Sequence, residues 1–339
     1  LSKKKCISII VPFYNEADGV DRFRGAISAV MARCPAYDFE VICVDDGSRD
    51  DTLTKLISLS QEDDRFRVIE LSRNFGKEAA LTAAIDFSTG DAAIPFDADL
   101  QDPPELILEM IEKWEEGYEV VLARRSDRTM DTYFKRKTAE IFYRFHNRMS
   151  DTKIPENVGD FRLMDRAVVA AIKRLPERQR FMKGLFAWVG FRTVVIDYKR
   201  AARETGQTKF SAWKLWNFAL EGITSFSTVP LKLMAWVGSV GTLTTLLYAL
   251  YITFKTLIYG VDVPGYASLL VAILFMGSVQ LIGLGILGEY IGRIYMESKQ
   301  RPAYLVRQHH RFTTSGDAVH PAQPATTTVD GLPKVSAMT

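Results

Sequence analysis

Two carboxylates and an amide alternate in the segment Phe96-Asp97-Ala98-Asp99-Leu100-Gln101, directly after an apolar run. On an extended strand, alternate side chains share a face, so Asp97, Asp99 and Gln101 are expected to converge on one point. Oxygen donors without His or Cys suit a hard divalent cation, one that keeps several waters and takes further ligands from a diphosphate. Asp-x-Asp pairs also occur on ordinary surfaces, and here the place after an apolar strand favours the metal. A second acidic site is Asp45-Asp46-Gly47-Ser48, again following an apolar run. Asp46 can accept the N3–H of a uracil, with Gly47 letting the backbone turn closely. A turn leading into a helix cap uses the same residue types. The loop Val11-Pro12-Phe13-Tyr14-Asn15-Glu16 holds no glycine-rich phosphate cradle, which disfavours a dinucleotide or P-loop site.

Basic groups gather in three places: Arg124-Arg125, Lys135-Arg136-Lys137, and the polar loop from Arg203 to Lys209. Charge runs commonly coat solvated faces, but these lie between a diphosphate-type metal site and apolar spans, where an anionic lipid head would arrive. Gly159-Asp160-Phe161-Arg162 places a carboxylate beside a guanidinium, in a segment that also suits an ion pair or a helix cap.

The elements that must position these groups alternate. Apolar, β-rich runs at Cys6–Val11, Phe39–Val44, Phe66–Leu71, Ala92–Phe96 and Glu119–Leu122 are separated by helical patterns at Gly19–Arg33, Thr52–Gln61, Lys77–Ser88 and Pro104–Glu116. Such spacing predicts an α/β fold, a mostly parallel sheet flanked by helices. Asp50-Asp51-Thr52 and Asp102-Pro103-Pro104 look like helix starts. Ligands bind such sheets at the carboxyl ends of the strands, where the acidic motifs fall. Residues 1–128 form this region. Residues 129–228 follow with two amphipathic stretches, 132–149 and 211–225, read as helices at the membrane interface.

No charged residue lies between Lys232 and Lys255, and none between Asp262 and Glu289. Each gap exceeds the roughly 20 helical residues that cross a bilayer. Residues 229–298 are therefore expected to form a two-helix transmembrane hairpin, with spans at about 232–254 and 263–288. Gly288 with Gly292, and Gly238 with Thr242, are spaced for close helix approach. Lys214, Lys232, Arg293, Lys299 and Arg301 flank the open end, which places it and both termini in the cytoplasm. Residues 299–339 read as a largely disordered cytoplasmic tail, aperiodic from Gln308, with His309 and His310 solvated. No apolar h-region with a small-residue cleavage site follows the N-terminal Leu-Ser-Lys-Lys-Lys, so no signal peptide is expected. Three cysteines without metal-type spacing argue for a reducing compartment. A net charge of +2 gives no ground for a nucleic-acid partner.

Taken together, Val-Pro-Phe-Tyr-Asn-Glu, Val-Asp-Asp-Gly-Ser, Asp-Ala-Asp-Leu-Gln-Asp-Pro-Pro-Glu and Gly-Asp-Phe-Arg-Leu resemble the motifs of inverting family 2 glycosyltransferases of the GT-A fold. The match is to polyisoprenyl-phosphate glycosyltransferases related to dolichol-phosphate mannose synthase, above all the two-span bactoprenol glucosyltransferases of the GtrB type. It covers about residues 6–300. The resemblance implies transfer of a hexose, glucose first, from a UDP-sugar to polyisoprenyl (undecaprenyl) phosphate at the bacterial inner membrane. Pro12, Tyr14 and Glu16 would line the uridine pocket and Asp46 would bind uracil. Asp97, Asp99 and Gln101 would hold Mg²⁺ or Mn²⁺. Arg125, Arg136, Arg203 and Lys209 would handle phosphates, and Asp160 would be the catalytic carboxylate. A homo-oligomer, in the form of a tetramer, is implied as well.

Three other readings remain in view. A processive polysaccharide synthase would carry a Gln-x-x-Arg-Trp motif, but Arg180 precedes Phe181 and no such motif occurs. The sugar could instead be mannose, aminoarabinose or N-acetyl-hexosamine. An inactive membrane scaffold would not need the intact Asp97/Asp99 pair.

Overall fold

The computed structural model describes residues 4–126, 158–178, 180–198, 228–259 and 265–310. The chain divides into two compact units, one holding residues up to Asp91 and again from Tyr304, the other Ala92–Ala303.

The first unit opens with strands β1 (Cys6–Phe13), β2 (Asp38–Asp45) and β3 (Phe66–Leu71), which alternate with helices α1 (Val20–Ala32), α2 (Thr52–Glu62) and α3 (Lys77–Phe87). The strands pair in parallel, Cys6 opposite Asp38 through Phe13 opposite Asp45, and Val41 opposite Phe66 through Asp45 opposite Glu70. Their near-continuous apolar runs fit strands covered on both faces. Ile7, Ile9, Ile10, Val11, Val41, Ile42, Val44, Val68 and Ile69 are all fully buried. One carboxylate lies among them. Glu40 accepts hydrogen bonds from Ser8 Oγ, Thr89 N and Oγ1, Gly90 N and Arg67 Nη1, joining all three strands to the turn after α3. Burial alone would raise its pKa, but the Ser8 and Thr89 hydrogen bonds and the Arg67 charge bring it below the ordinary range.

The second unit contains β4 (Ala92–Pro95), α4 (Leu106–Glu115), β5 (Val120–Arg125), β6 (Val158–Asp165), α5 (Arg166–Lys173), α6 (Met182–Trp188) and β7 (Thr193–Tyr198). Its strands run in the order β7-β5-β6-β4. Strand β6 is antiparallel to both β4 and β5, while β5 is parallel to β7. The sheet therefore continues past residue 128, because β6 and β7 from the following region pair with β5. Asp165 caps α5 by accepting from Ala167 N at 2.8 Å and also accepts from Trp114 Nε1 of α4 at 2.8 Å.

The same unit carries two long helices, α7 (Val229–Tyr259) and α8 (Tyr266–Ser298), which pack against each other. Helix α7 contains the first expected span; α8 starts at Tyr266 and runs ten residues beyond the expected end at 288. Within α8, Phe275–Ser298 is long and apolar enough to cross a membrane. Leucines such as Leu243, Leu246, Leu250, Leu281 and Leu284 face outward and form an exposed apolar surface. The expected close approach at Gly288 and Gly292 is not found among the described residues: a Cβ built at either meets nothing within 4 Å. The close point is Gly283, whose built Cβ lies 3.8 Å from Met234 Sδ. At the end of α8, the Glu297 carboxylate accepts from Arg178 N at 3.0 and 3.1 Å, tying the hairpin to the segment before α6.

After α8 the chain re-enters the first unit as β8 (Val306–His310), antiparallel to β3, with Ile69 opposite His309 and Val68 opposite His310. This corrects the expectation of an aperiodic tail from Gln308. A parallel sheet leaves an edge of unpaired backbone groups along β3, and β8 satisfies it. The histidines are correspondingly not solvated: the His309 ring lies 5.5 Å from that of Phe87, and His310 Nε2 is 3.4 Å from Glu70 Oε2. Residues 311–339 and both amphipathic stretches lie outside the described residues.

Gly90 tests the packing around Glu40. A Cβ there would come within 2.6 Å of Ser8 Oγ and 2.8 Å of Cys6 O. Gly90→Ala is expected to destabilise the first unit by about 1–3 kcal/mol, the usual cost of overpacking, read as a lowered thermal midpoint. An unchanged midpoint would contradict that packing.

Candidate glycosyltransferase site

In the first unit, the loops after β1, β2 and β3 interlock. Asn15 N donates to Ser48 Oγ at 3.0 Å, and Arg49 N donates back to Asn15 Oδ1 at 2.8 Å. Asn15 sits at φ 53°, a left-handed conformation that asparagine tolerates. Of the expected uridine-pocket residues, Pro12 is half-buried while Tyr14 and Glu16 are exposed. Glu16 N donates to Thr52 Oγ1 at 2.9 Å, which fixes this loop against the start of α2.

Asp46 is buried, and its two oxygens accept from Phe75 N at 2.7 Å and Gly76 N at 2.9 Å. The residue singled out for a base contact thus also holds the loop that leads into α3. Each carboxylate oxygen has a second lone pair, so these bonds leave room for a further donor. Burial raises the Asp46 pKa against the lowering effect of the Phe75 and Gly76 hydrogen bonds. Gly47 is demanded by the same junction: at φ 67°, its built Cβ would stand 2.6 Å from the backbone of both Arg73 and Asn74. Asp45 is more buried still. It accepts from Ser48 N at 3.2 Å through Oδ2, and its pKa is raised by burial first and by the neighbouring Glu70 charge as well.

The acidic motif of the second unit departs from the expected geometry. Strand β4 ends at Pro95, and residues 97–101 form a turn rather than an extended strand. Leu100 N approaches Asp97 O at 3.4 Å and Leu100 adopts φ 54°. A bulky residue in that region costs on the order of 1–3 kcal/mol and persists only where its surroundings hold it. Gln101 Nε2 donates to Asp99 Oδ2 at 2.6 Å and Gln101 N to Asp99 Oδ1 at 3.2 Å. The simple alternation that would align three ligands therefore fails, and Gln101 braces Asp99. Among the described residues no group of three or more His, Cys, Asp or Glu is gathered for a metal. What remains is a pair of hard oxygen donors, Asp97 and Asp99, which fits a divalent cation whose other ligands come from a diphosphate and water.

Beside this turn lies a network that sequence reasoning missed. Asp102 is 3 % exposed and accepts the hydroxyl hydrogen of Tyr198, at the end of β7. Tyr198 Oη in turn accepts from Arg125 Nε at 3.3 Å, and Arg125 Nη2 stands 4.0 Å from Asp102 Oδ1. Burial works against the Arg125 charge, but Tyr198, Asp102 and Asp97 together hold its pKa above the ordinary value. Tyr198 is pushed up to about 12, by burial and then by Asp102, so it remains a donor at neutral pH. Asp102 opens a segment expected to start a helix; α4 begins at Leu106, and this carboxylate serves the tyrosine. Only its low polarity context, between Leu100 and two prolines, could have hinted at burial. Tyr198 carried no local signal, since it meets Asp102 through strand pairing alone. Arg124, by contrast, forms an exposed bidentate pair with Asp197 at 2.6 and 2.8 Å.

Strand β6 completes the arrangement. Phe161 packs edge-on against Phe96 at 5.3 Å and Tyr198 at 6.5 Å, so the neighbouring Asp160 is fixed relative to the acidic turn. The Arg125 guanidinium lies 3.6 Å from a Cβ built on Gly159. Arg162 donates to the carbonyls of Gly159 at 2.7 Å and Asp160 at 3.4 Å, and its guanidinium carbon stands 4.2 Å over the Phe186 ring. Burial lowers its pKa to about 10, opposed by the charge of Asp160, so it stays cationic at neutral pH. Asp160 is not a helix cap, a role that Asp165 fills. The second unit thus brings Asp97, Asp99, Gln101, Arg125 and Asp160 together. Arg136, Arg203 and Lys209 lie outside the described residues.

The glycosyl transferase family 2 profile matches residues 8–173, and that of the GtrB C-terminal hairpin matches residues 229–294. The SfII prophage-derived bactoprenol glucosyl transferase of Shigella flexneri is 51% identical over 305 residues, 90% of this chain and 98% of that protein. A prophage bactoprenol glucosyl transferase homolog of Escherichia coli K12 is 50% identical over 89% of this chain and 98% of its own length. An uncharacterized glycosyltransferase of Synechocystis is 55% identical over 88% and 94%. Among solved structures, mannosyl-3-phosphoglycerate synthase from Rubrobacter xylanophilus aligns with a TM-score of 0.44 and 19% identity, over 64% of this chain and 71% of that one. With relatives this similar over nearly their whole length, the chain belongs to the family 2 glycosyltransferases of GT-A fold that end in the GtrB C-terminal hairpin, and it is a membrane-associated glycosyltransferase.

Proposed function

We propose that this enzyme transfers glucose from UDP-glucose to a polyisoprenyl phosphate, with inversion, at the cytoplasmic face of the bacterial plasma membrane. The observation that carries the reading is the second unit's juxtaposition of an acid pair, the half-buried Arg125 and a β-strand carboxylate, on a chain that continues into an apolar hairpin. Bactoprenol glucosyl transferases with half of their residues in common support the same substrates.

The acceptor's chemistry sets what the protein must supply. A phosphate monoester has a second pKa near 6 and is largely dianionic at neutral pH. Its oxygen attacks the anomeric carbon, the bond from that carbon to the diphosphate oxygen breaks, and UDP departs with the electron pair. Little proton removal is needed. Asp160 therefore serves to orient the sugar and to steady positive charge developing at the anomeric carbon, with Arg162 holding its backbone in place. Asp46 accepts from the uracil N–H, and the loop of Pro12, Tyr14 and Glu16 flanks the base. Asp97 and Asp99 would hold Mg²⁺ or Mn²⁺, with Gln101 keeping Asp99 oriented. The cation would supply positive charge where the diphosphate leaves. Arg125 adds a fixed charge for phosphoryl oxygens, as would Arg136, Arg203 and Lys209. The hairpin crosses the membrane twice, both termini are cytoplasmic, and the enzyme works as a homo-oligomer.

Asp99→Ala is expected to lower transfer of labelled glucose to undecaprenyl phosphate by about 10²-fold or more, the scale of lost electrostatic stabilisation, without loss of folded protein. EDTA should do the same to the wild type; normal turnover in either case would remove the cation. The same assay run over UDP-glucose, UDP-N-acetylglucosamine, UDP-aminoarabinose and GDP-mannose decides the sugar. Tyr198→Phe keeps the ring on Phe161 but removes one hydrogen-bond partner from each of Asp102 and Arg125, worth about 1–3 kcal/mol when buried. Its kcat/KM should fall about tenfold while the circular dichroism spectrum is kept; an unchanged rate would show that Arg125 needs no brace. A cysteine placed in the tail should react with an impermeant reagent only from the cytoplasmic side, and labelling from outside would reverse the topology.

A further inference from the structure

Strand β8 lies beyond both matched family segments, and its contacts converge on one spot in the first unit. Leu305 O accepts from Ser72 N at 2.8 Å, and Arg307 Nη2 donates to Ser72 O at 3.2 Å. Arg307 Nη1 reaches Glu70 Oε1 at 3.1 Å, and His310 Nε2 lies 3.4 Å from the other Glu70 oxygen. Tyr304 Oη donates to Asp86 Oδ2 of α3 at 2.9 Å. Residues 70–72 and α3 are therefore gripped from both ends. The chain between those grips is Arg73–Gly76, the loop whose N–H groups at Phe75 and Gly76 hold Asp46 and whose backbone abuts Gly47.

The charges in this region point the same way. Glu70 is 8 % exposed and stands opposite Asp45 in the β2–β3 register. Two neighbouring buried carboxylates repel each other unless a cation attends them. The cation here comes from β8.

We propose that β8, the strand that follows the membrane hairpin, is a positioning element of the nucleotide site: through Leu305, Arg307 and Tyr304 it sets the Arg73–Gly76 loop and with it Asp46. The proposal rests on the reading of Asp46 as the residue that meets the base. Hairpin and nucleotide site are then linked in sequence by the short segment 299–303. None of these β8 residues touches substrate; each acts through Glu70, Ser72 or Asp86.

The test uses the full-length enzyme in lipid nanodiscs. Arg307→Glu places a third acid beside Glu70 and Asp45, and Arg307→Lys keeps the cation. Arg33→Glu makes the same charge reversal at an exposed position just after α1. Arg307→Glu should weaken UDP binding in calorimetry with Mn²⁺, and raise the KM for the nucleotide sugar, by about tenfold, as expected for a disturbed buried charge. The kcat and the KM for undecaprenyl phosphate should stay within about twofold, as should all constants of Arg307→Lys and Arg33→Glu. A chain ending at His310 should bind UDP normally, and one ending at Ala303 should not. Unchanged UDP affinity in the shorter chain or in Arg307→Glu overturns the proposal. So do equal effects of Arg307→Glu and Arg33→Glu, or equal losses for donor and acceptor. Calorimetry is run with GDP in parallel. A wild type that prefers GDP would refute the UDP reading, while the effect of Arg307→Glu would still be read on GDP.

Discussion

A carboxylate taken out of water must be met by donors, and most of this architecture follows from where those donors come from. Asp46 is met by Phe75 and Gly76, Asp102 by Tyr198, Glu40 by Ser8, Thr89, Gly90 and Arg67, and Glu70 by Arg307 and His310. In each case the donors lie on segments far from the acid in sequence. Leaving such a group without partners costs far more than the bond itself returns, so each acid fixes the approach of two or three chain segments. Loops at strand ends would otherwise be the most variable parts of the fold. Here they are cross-braced by charge.

That bracing suits the chemistry. An acceptor that arrives already ionised needs no strong base, so the demand falls on orienting the sugar and on stabilising the diphosphate as it leaves. Both tasks need charges held at fixed positions rather than groups that exchange protons. Arg125, fixed by a tyrosine that stays protonated, and Arg162, seated on backbone carbonyls and the Phe186 ring, are charges of that kind. Phe161 contributes by packing: with Phe96 on one side and Tyr198 on the other, it sets the distance between β6 and the acidic turn.

The hairpin is more than an appended anchor. Glu297, at the end of α8, accepts the backbone N–H of Arg178, so the exit from the apolar helix is tied to the segment leading into α6. Twelve residues of tail then reach β8's last position, and the strand itself fills the open edge of β3.

The sequence by itself determined a good deal. Apolar runs of strand length alternating with helical patterns reported β1 to β5 and α1 to α4, because parallel strands buried on both faces leave an uninterrupted hydrophobic signature. The charge-free gaps reported the two long apolar helices, since each gap is an unbroken apolar run of helical length. Asp46, Asp97 and Asp99 were legible as acids at strand ends. Their surroundings were not. Whether residues 97–101 run straight or turn depends on Leu100 being held in a left-handed conformation, and no local pattern records that. Asp102, Tyr198 and Arg125 meet only because β5 pairs with β7, and β8 is too short and too polar to announce itself as a strand. Tertiary structure decided these points, because a buried charge is satisfied by whatever the fold brings to it and not by its neighbours in the chain.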